Sequence, residues 1–330
     1  MEVIQKTLFI SNSNTMKKFI LNILSFTFLL FAVALGLDYI ISSGLRQMED
    51  YRFQTYDAML KGGMEHDLII VGNSRGFSHF NPIIIDSVCN ISSFNISRGG
   101  YPFNVQKFHW DLYKSNNKKP KYIVHNVDFV TLNTMTMKNQ HQSEANLPYF
   151  YNPFYNKTMK GMGYNWLDRY IPLYRYFGYQ MAIKNGLMEF LGVKHYNHQP
   201  SNKGFRYEYG TTWDGGNLNE MKTITAAMDS TTMKNFEHYM EDCYNDSIKV
   251  ILVNSPVYHV ATERCENMNE LNTYFDSIAR KYNTHYLNYT ENYHLCNDTA
   301  NFSVSVHMTP TATDIFSRDF ADTLKTLINK

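Results

Sequence analysis

Apolar residues fall along this chain in three rhythms. The first is an unbroken run, Phe19 to Leu37 (FILNILSFTFLLFAVALGL), 19 residues without a charge. At about 1.5 Å of rise per residue, such a helix crosses the roughly 30 Å hydrocarbon layer of a bilayer. The second is a set of short apolar runs at 67–72, 93–96, 121–127, 249–254 and 284–287. Several are apolar on both faces, as buried parallel strands are. The third is helical spacing between the runs: Leu271, Tyr274, Phe275 and Ile278 line one face of a helix over 267–282. Asn81-Pro82 and Thr309-Pro310 each set a capping side chain before a proline, which predicts helix starts at both places, the second helix running to Ile328. Strands alternating with helices predict an α/β fold, a three-layer α/β/α sandwich on a mainly parallel sheet.

The same pattern divides the chain. Residues 1–18 read as a cytoplasmic N-terminus, 19–41 as a transmembrane signal anchor, 42–65 as a linker and 66–330 as an α/β domain. That domain is interrupted by an excursion of about 132–230, too long for an ordinary crossover. Lys17 and Lys18 precede the apolar run, and Asp38, Glu49 and Asp50 follow it. The positive-inside rule then places the N-terminus in the cytoplasm and the main domain outside, periplasmic or at the cell surface. Ala32-Val33-Ala34 also fits the cleavage site of a signal peptide, although apolar residues continue to Ile41. Either reading exports the main domain.

Composition removes some functions. With 31 Lys and Arg against 30 Asp and Glu, the net charge of +1 provides no electrostatic footprint for nucleic acid, and no basic tract supplies one locally. Four cysteines, Cys89, Cys243, Cys265 and Cys296, show no CxxC or zinc spacing. An exported chain permits a disulfide, Cys265 with Cys296 being the first pair to consider; four unpaired buried thiols are the alternative. No cofactor signature is present. The excursion is aromatic, with 18 rings in the 65 residues from Tyr149 to Trp213. They read either as a groove for sugar rings or as a small core of their own.

In an open α/β sheet, functional residues gather at the carboxyl ends of the strands. The first run, DLIIVGNSRGFSHFNP, ends at Gly72-Asn73-Ser74-Arg75, a tight turn that would aim the Ser74 hydroxyl and backbone amides at one point. The second ends in Asn95-Ile96-Ser97-Arg98-Gly99-Gly100, where glycines admit close approach to a ligand, and the third in His125-Asn126-Val127-Asp128. His307, in VSVHMTPTATDIFS, returns an imidazole to the same rim. A serine becomes a nucleophile when a base takes its proton and donors hold the oxyanion. Arg75 reads as a contact for an anionic or hydroxylated substrate or as an anchor of the turn, and Trp213 as a sugar platform or a packing residue. His79 reads as a helix-entry residue and Arg98 as a loop residue facing water. His195-x-x-His198 has helical spacing with no carboxylate pattern nearby, so a metal site is not expected, and Glu291-x-x-His294 competes only distantly with His307.

Ser, Gly, Asn and His in that order resemble the SGNH (GDSL-type) hydrolase superfamily, and most of all its membrane-anchored GxSR-type branch in bacterial envelopes. The resemblance covers about 66–130 and 246–328. It implies Ser74 as nucleophile, Gly100 and Asn126 as oxyanion donors and His307 as base. It further implies an esterase or O-acyltransferase acting on an acylated envelope polysaccharide, working beside a multipass membrane acyltransferase. Two departures stand out. Asn126 is followed by Val127 where the family pattern has Asp at once, and Val304 occupies the position, three residues before the histidine, of the family's orienting acid. Three outcomes are open: a Ser74–His307 dyad with a weaker backbone or serine partner, an acid supplied from elsewhere such as Asp298 or Asp128, or a protein that has lost catalysis and kept the fold as a glycan-binding or assembly module.

Overall fold

The computed structural model describes residues 2–100, 102–134, 144–153, 155–156, 166–193, 200–208, 210, 212–216, 218 and 222–329, with side chains from residue 14 onward. The chain opens with α1 (Glu2–Gln47) and α2 (Tyr51–Lys61), followed by β1 (Leu68–Val71), α3 (Ser74–His79) and α4 (Pro82–Cys89). Next come β2 (Ser93–Asn95), α5 (Phe103–Asn116) and β3 (Tyr122–Asn126). The excursion contributes α6 (Trp166–Tyr170) and α7 (Gln180–Phe190), with short 3-10 turns at Glu144–Tyr149 and Tyr174–Tyr176. The rest comprises α8 (Ser230–Asn245), β4 (Lys249–Asn254), α9 (His259–Glu263), α10 (Met268–Lys281), β5 (Tyr286–Asn288), β6 (Phe302–Val304), β7 (His307–Met308) and α11 (Pro310–Ile328).

These elements form two compact units, 1–48 with 143–197, and 49–142 with 198–330. The division differs from a single 66–330 domain, because much of the excursion groups with the N-terminal helix. Nor is 42–65 an irregular linker. Asp50 caps α2 by accepting from the Arg52 amide, and Phe53, Tyr56 and Met59 are buried along the helix.

The larger unit is built on a five-stranded sheet of order β2-β1-β3-β4-β5, with every pairing parallel. Because side chains alternate along a strand, Leu68 and Ile70 of β1, Val124 of β3 and Ile251 and Val253 of β4 reach one core cluster with Phe80, Ile85, Phe316, Phe320 and Leu324. The alternate position in β3, His125, meets Phe103 of α5 and Phe236 and Tyr239 of α8. The predicted helix starts at 82 and 310 are present: Asn81 accepts from the Ile83 amide and Thr309 from the Ala312 amide. The four cysteines are buried and free, so the Cys265–Cys296 pairing is not formed.

In the smaller unit, α1 contains one stretch, within Asn14–Gln47, that is long and apolar enough to cross a membrane. Residues 14–37 are exposed apart from half-buried Ala34, and burial begins at Asp38. From there α7 packs closely on α1. A Cβ built on Gly44 would fall 1.8 Å from the Gly186 carbonyl oxygen, and one built on Gly186 would fall 2.5 Å from that of Ile41. Small residues at both positions are what allow the two backbones to touch.

Candidate active site

The carboxyl ends of β1, β3 and β4 bring Ser74, Asn126 and Asn254 into one neighbourhood. Gly72 leaves β1 so close to β3 that an added Cβ would sit 2.9 Å from the Asn126 Cβ. Asn73 then caps α3: its Oδ1 accepts from the Arg75 amide at 3.0 Å, and its Nδ2 donates to Asp128 Oδ2 at 2.5 Å. The turn is therefore held from two sides before Ser74 begins the helix.

His307 completes the pair. Its Nε2 lies 2.9 Å from Ser74 Oγ. The imidazole is carried on β7, whose antiparallel partner β6 sets Val304 opposite His307, and the Ser303 hydroxyl donates to the His307 carbonyl at 3.2 Å. The next residue is also fixed, since the Met308 amide donates to His79 Nε2 at 3.2 Å. His79 must then carry its proton on Nδ1, which donates to Ser255 Oγ at 3.0 Å. Burial, with help from Arg75 and His307, holds His79 well below the usual imidazole range, so it stays neutral. It is not a helix-entry residue: it closes α3, fully buried, and joins that helix to the His307 hairpin.

Arg75 serves as the anchor of the turn. Its Nη2 donates to Asn254 Oδ1 at 2.9 Å and to the Ser255 carbonyl, and its Nη1 lies 3.6 Å from Asp128. It is 2% exposed, and its Nε has no hydrogen-bond partner among the described residues. Arg98 does not face water either: it is buried, with its guanidinium 4.4 Å from the Tyr56 ring centroid. Trp213 is half-buried and edge-on to Tyr258, and its indole N–H donates to the Gly216 carbonyl, so its polar handle is occupied.

Two donor positions stand near Ser74. Gly99 abuts it, an added Cβ lying 3.6 Å from the Ser74 Cβ, and Gly100 follows at φ +79° with open space where a Cβ would be. A residue with a side chain would be strained at that φ. Asn126 Oδ1 accepts from the Ser255 amide at 3.3 Å, whereas its Nδ2 is buried without a hydrogen-bond partner among the described residues.

Among the described residues, no carboxylate is hydrogen-bonded to His307. Val304 is 45% exposed. Asp298 caps a 3-10 turn by accepting from the Ala300 amide, and Asp128 is engaged by Asn73 and Arg75. Burial lowers the proton affinity of His307; Glu208 raises it, ahead of the opposing Arg75 and the weaker pull of Asp128. Glu208 is held at the hairpin by its neighbours. Tyr207 donates to Asp314 Oδ1 at 2.6 Å and accepts from Asn81, and an added Cβ on Gly210 would touch the Ser303 side chain at 3.2 Å. In the sequence Glu208 is a lone carboxylate within the aromatic string FRYEYGTTW, and nothing local ties it to His307.

His294 is exposed and faces Asp319, away from Ser74. His195 and His198 lie outside the described residues. A cavity of about 530 Å³ opens near the amino end of β4, lined by Tyr244, Lys249 and Thr284 among others, and holds none of the groups around Ser74. No family model matches the chain, and no curated protein matches it.

Proposed function

We propose that this protein is an exported, membrane-anchored serine esterase or O-acyltransferase with an SGNH-type three-layer α/β/α sandwich, acting on an acylated envelope polysaccharide. One observation carries the reading: Ser74 Oγ and His307 Nε2, 233 positions apart, stand at 2.9 Å. Burial lowers the proton affinity of His307 and so favours the neutral imidazole, whose Nε2 accepts the Ser74 proton in the tautomer that carries its own on Nδ1.

In the proposed reaction, Ser74 Oγ attacks an ester carbonyl while its proton passes to His307 Nε2. The carbonyl electron pair moves to oxygen and is held by the amides of Ser74 and Gly100 and by Asn126 Nδ2. Glu208, fixed beside the hairpin, stabilises the imidazolium that forms. Collapse breaks the bond to the leaving alcohol, which takes the proton from His307 and leaves an acyl-serine. Water or a sugar hydroxyl then attacks, giving up its proton to His307, and Ser74 departs with that proton. With water the reaction is hydrolysis; with a sugar it is transfer. A multipass membrane acyltransferase is the proposed acyl source for the second case. The N-terminus is cytoplasmic in this scheme, and α1 keeps the catalytic unit at the outer surface of the membrane.

A second reading, a noncatalytic glycan-binding or assembly module, draws on Val304 in the acid position and on the complete burial of Asn126 Nδ2. A fluorophosphonate probe on the detergent-solubilised full chain separates the two. Labelling that disappears in Ser74→Ala and in His307→Ala is the expected result. An unlabelled but folded wild type, judged by its melting curve, would favour the binding module.

A further inference from the structure

The helix α1 is a ruler for depth. Its exposed apolar stretch ends at Leu37, and Asp38, the next residue, is fully buried. What buries Asp38 is the excursion: the Leu173 amide donates to Asp38 Oδ2 at 2.8 Å, and Arg175 pairs with Asp38 Oδ1. The Tyr176 hydroxyl lies 2.8 Å from Ser42 Oγ, one turn further along. Gly186 then meets Ile41, and Phe190 lies beside Gly44, so α7 runs along α1 and away from the apolar stretch. The contacts nearest that stretch are those of Leu173 and Arg175 with Asp38, within the segment 166–177.

That part is unusually bare of cover. Trp166 is 64% exposed, Tyr170 59%, Tyr174 43%, Phe177 90% and Met181 57%, and Tyr39 on α1 itself is 69% exposed. Such a concentration of exposed rings marks an interaction surface. Their level decides the partner. If residues 19–37 fill the hydrocarbon layer, Asp38 lies just beyond it, and the headgroup region is roughly 5–8 Å deep on each side. Phe177 is two residues from Arg175, a reach of about 7 Å at most. The rings are therefore held at headgroup depth, where Trp and Tyr partition because one end is apolar and the other polar.

We propose that residues 166–181 form a membrane-interface collar: Trp166, Tyr170, Tyr174, Phe177 and Met181 enter the headgroup layer of the leaflet that α1 leaves, fastened to the span by the Asp38–Arg175 pair. The occupant is lipid, not a protein, because this face continues the lipid-facing surface of α1 at the same depth. The collar makes α1 and the excursion one membrane device, a span plus a plane of contact. It rests on α1 as a span and not on the chemistry at Ser74.

Spin labels on the full chain in phosphatidylethanolamine/phosphatidylglycerol nanodiscs test this. Labels go at Phe177→Cys and Tyr170→Cys, with Phe28→Cys in the apolar stretch and Tyr244→Cys on the other unit as references; unsubstituted chain controls for the four buried thiols. Collisions with oxygen and with a water-soluble nickel chelate report depth. Expected are bilayer-centre values at 28, full nickel access at 244, and headgroup-level values at 170 and 177 with at least about fivefold less nickel access than at 244. A deep label at 28 with 170 and 177 as wet as 244 would overturn the collar while leaving the span. Shielding of 170 and 177 from both reagents would also overturn it, in favour of a second copy of the chain covering the face. Water access at 28 would remove the span itself, and the collar with it.

Discussion

Arg75 and Arg175 are both buried against an aspartate, at 2% and 3% exposure, yet their surroundings differ in kind. Arg75 lies at the carboxyl end of the sheet, where β4 supplies acceptors ready-made: the Asn254 side chain and the Ser255 carbonyl, with Asp128 at 3.6 Å. Arg175 has no sheet to draw on. It binds the Leu147 carbonyl and Asp38 and is walled by rings, its guanidinium 4.5 Å from the Tyr151 centroid and 5.0 Å from that of Tyr176. Strand ends leave backbone groups unpaired and can satisfy a buried cation with them. A segment of short helices and turns must enclose its cation in aromatic faces instead. The first arrangement braces the turn that carries Ser74; the second fastens a segment to a helix.

The largest effect that would test this contrast is at the turn itself. Ser74→Ala is expected to lower ester turnover by at least about a thousandfold while shifting the melting temperature little, because among the described residues the hydroxyl's one partner is the His307 ring. A large drop in melting temperature would mean that Ser74 is structural. Next are the two arginines. Either Arg75→Met or Arg175→Met strands a buried aspartate, at a cost of about 3–5 kcal/mol. Arg75→Met should also abolish fluorophosphonate labelling of Ser74, whereas Arg175→Met should preserve labelling and expose 144–193 to limited proteolysis. Loss of labelling in both variants would dissolve the contrast.

Acid stability gives a third measure. Burial holds His109 and His125, both in the sheet-bearing unit, down to about 3. The unfolded chain protonates these imidazoles near pH 6.5, so their contribution is complete above that pH and is lost as pH falls toward 3. The slope is about 1.4 kcal/mol per pH unit for each. Urea unfolding between pH 7 and 4 measures it, and a flat profile would mean that the two rings are not held neutral in the fold.

Glu208→Gln should cost about tenfold in kcat with KM nearly unchanged, since general-base catalysis as a whole is worth about a hundredfold or more. Because Glu208 raises the proton affinity of His307, its removal should move the acid limb of kcat/KM to lower pH. A limb that stays in place would exclude Glu208 as the countercharge. The smallest effect is expected at Val304→Asp. Position 304 is 45% exposed and paired with His307 across the hairpin, so a carboxylate there should leave stability intact and raise turnover a few-fold. No gain in rate would mean that the charge beside His307 is already sufficient.

Much of the sheet was legible because its signals are local. Apolar runs marked all five strands to within about two residues, and Asn81-Pro82 and Thr309-Pro310 marked two helix starts, since a cap needs only the next three residues to form. Ser74 and His307 could each be picked out from neighbours in sequence. Their meeting could not: it depends on β7 being drawn to α3 through His79, a contact between residues 229 positions apart. The buried state of Arg75, Arg98 and His79 was equally hidden, because polar residues in loops look alike whether they face water or a neighbouring strand.

By itself, then, the order of residues determined the apolar helix, the strands of the sheet and two helix starts, all of which follow from periodicity and short-range hydrogen bonding. Only the tertiary structure decided that Ser74 and His307 meet, which residues Asp38 and Asp128 pair with, and that 143–197 groups with the N-terminal helix. The physical reason is the same in each case. A buried charge is stabilised by whatever partner the fold brings to it, and Arg175 reaches Asp38 across 137 positions and Arg75 reaches Asn254 across 179, distances at which sequence pattern has no information about direction.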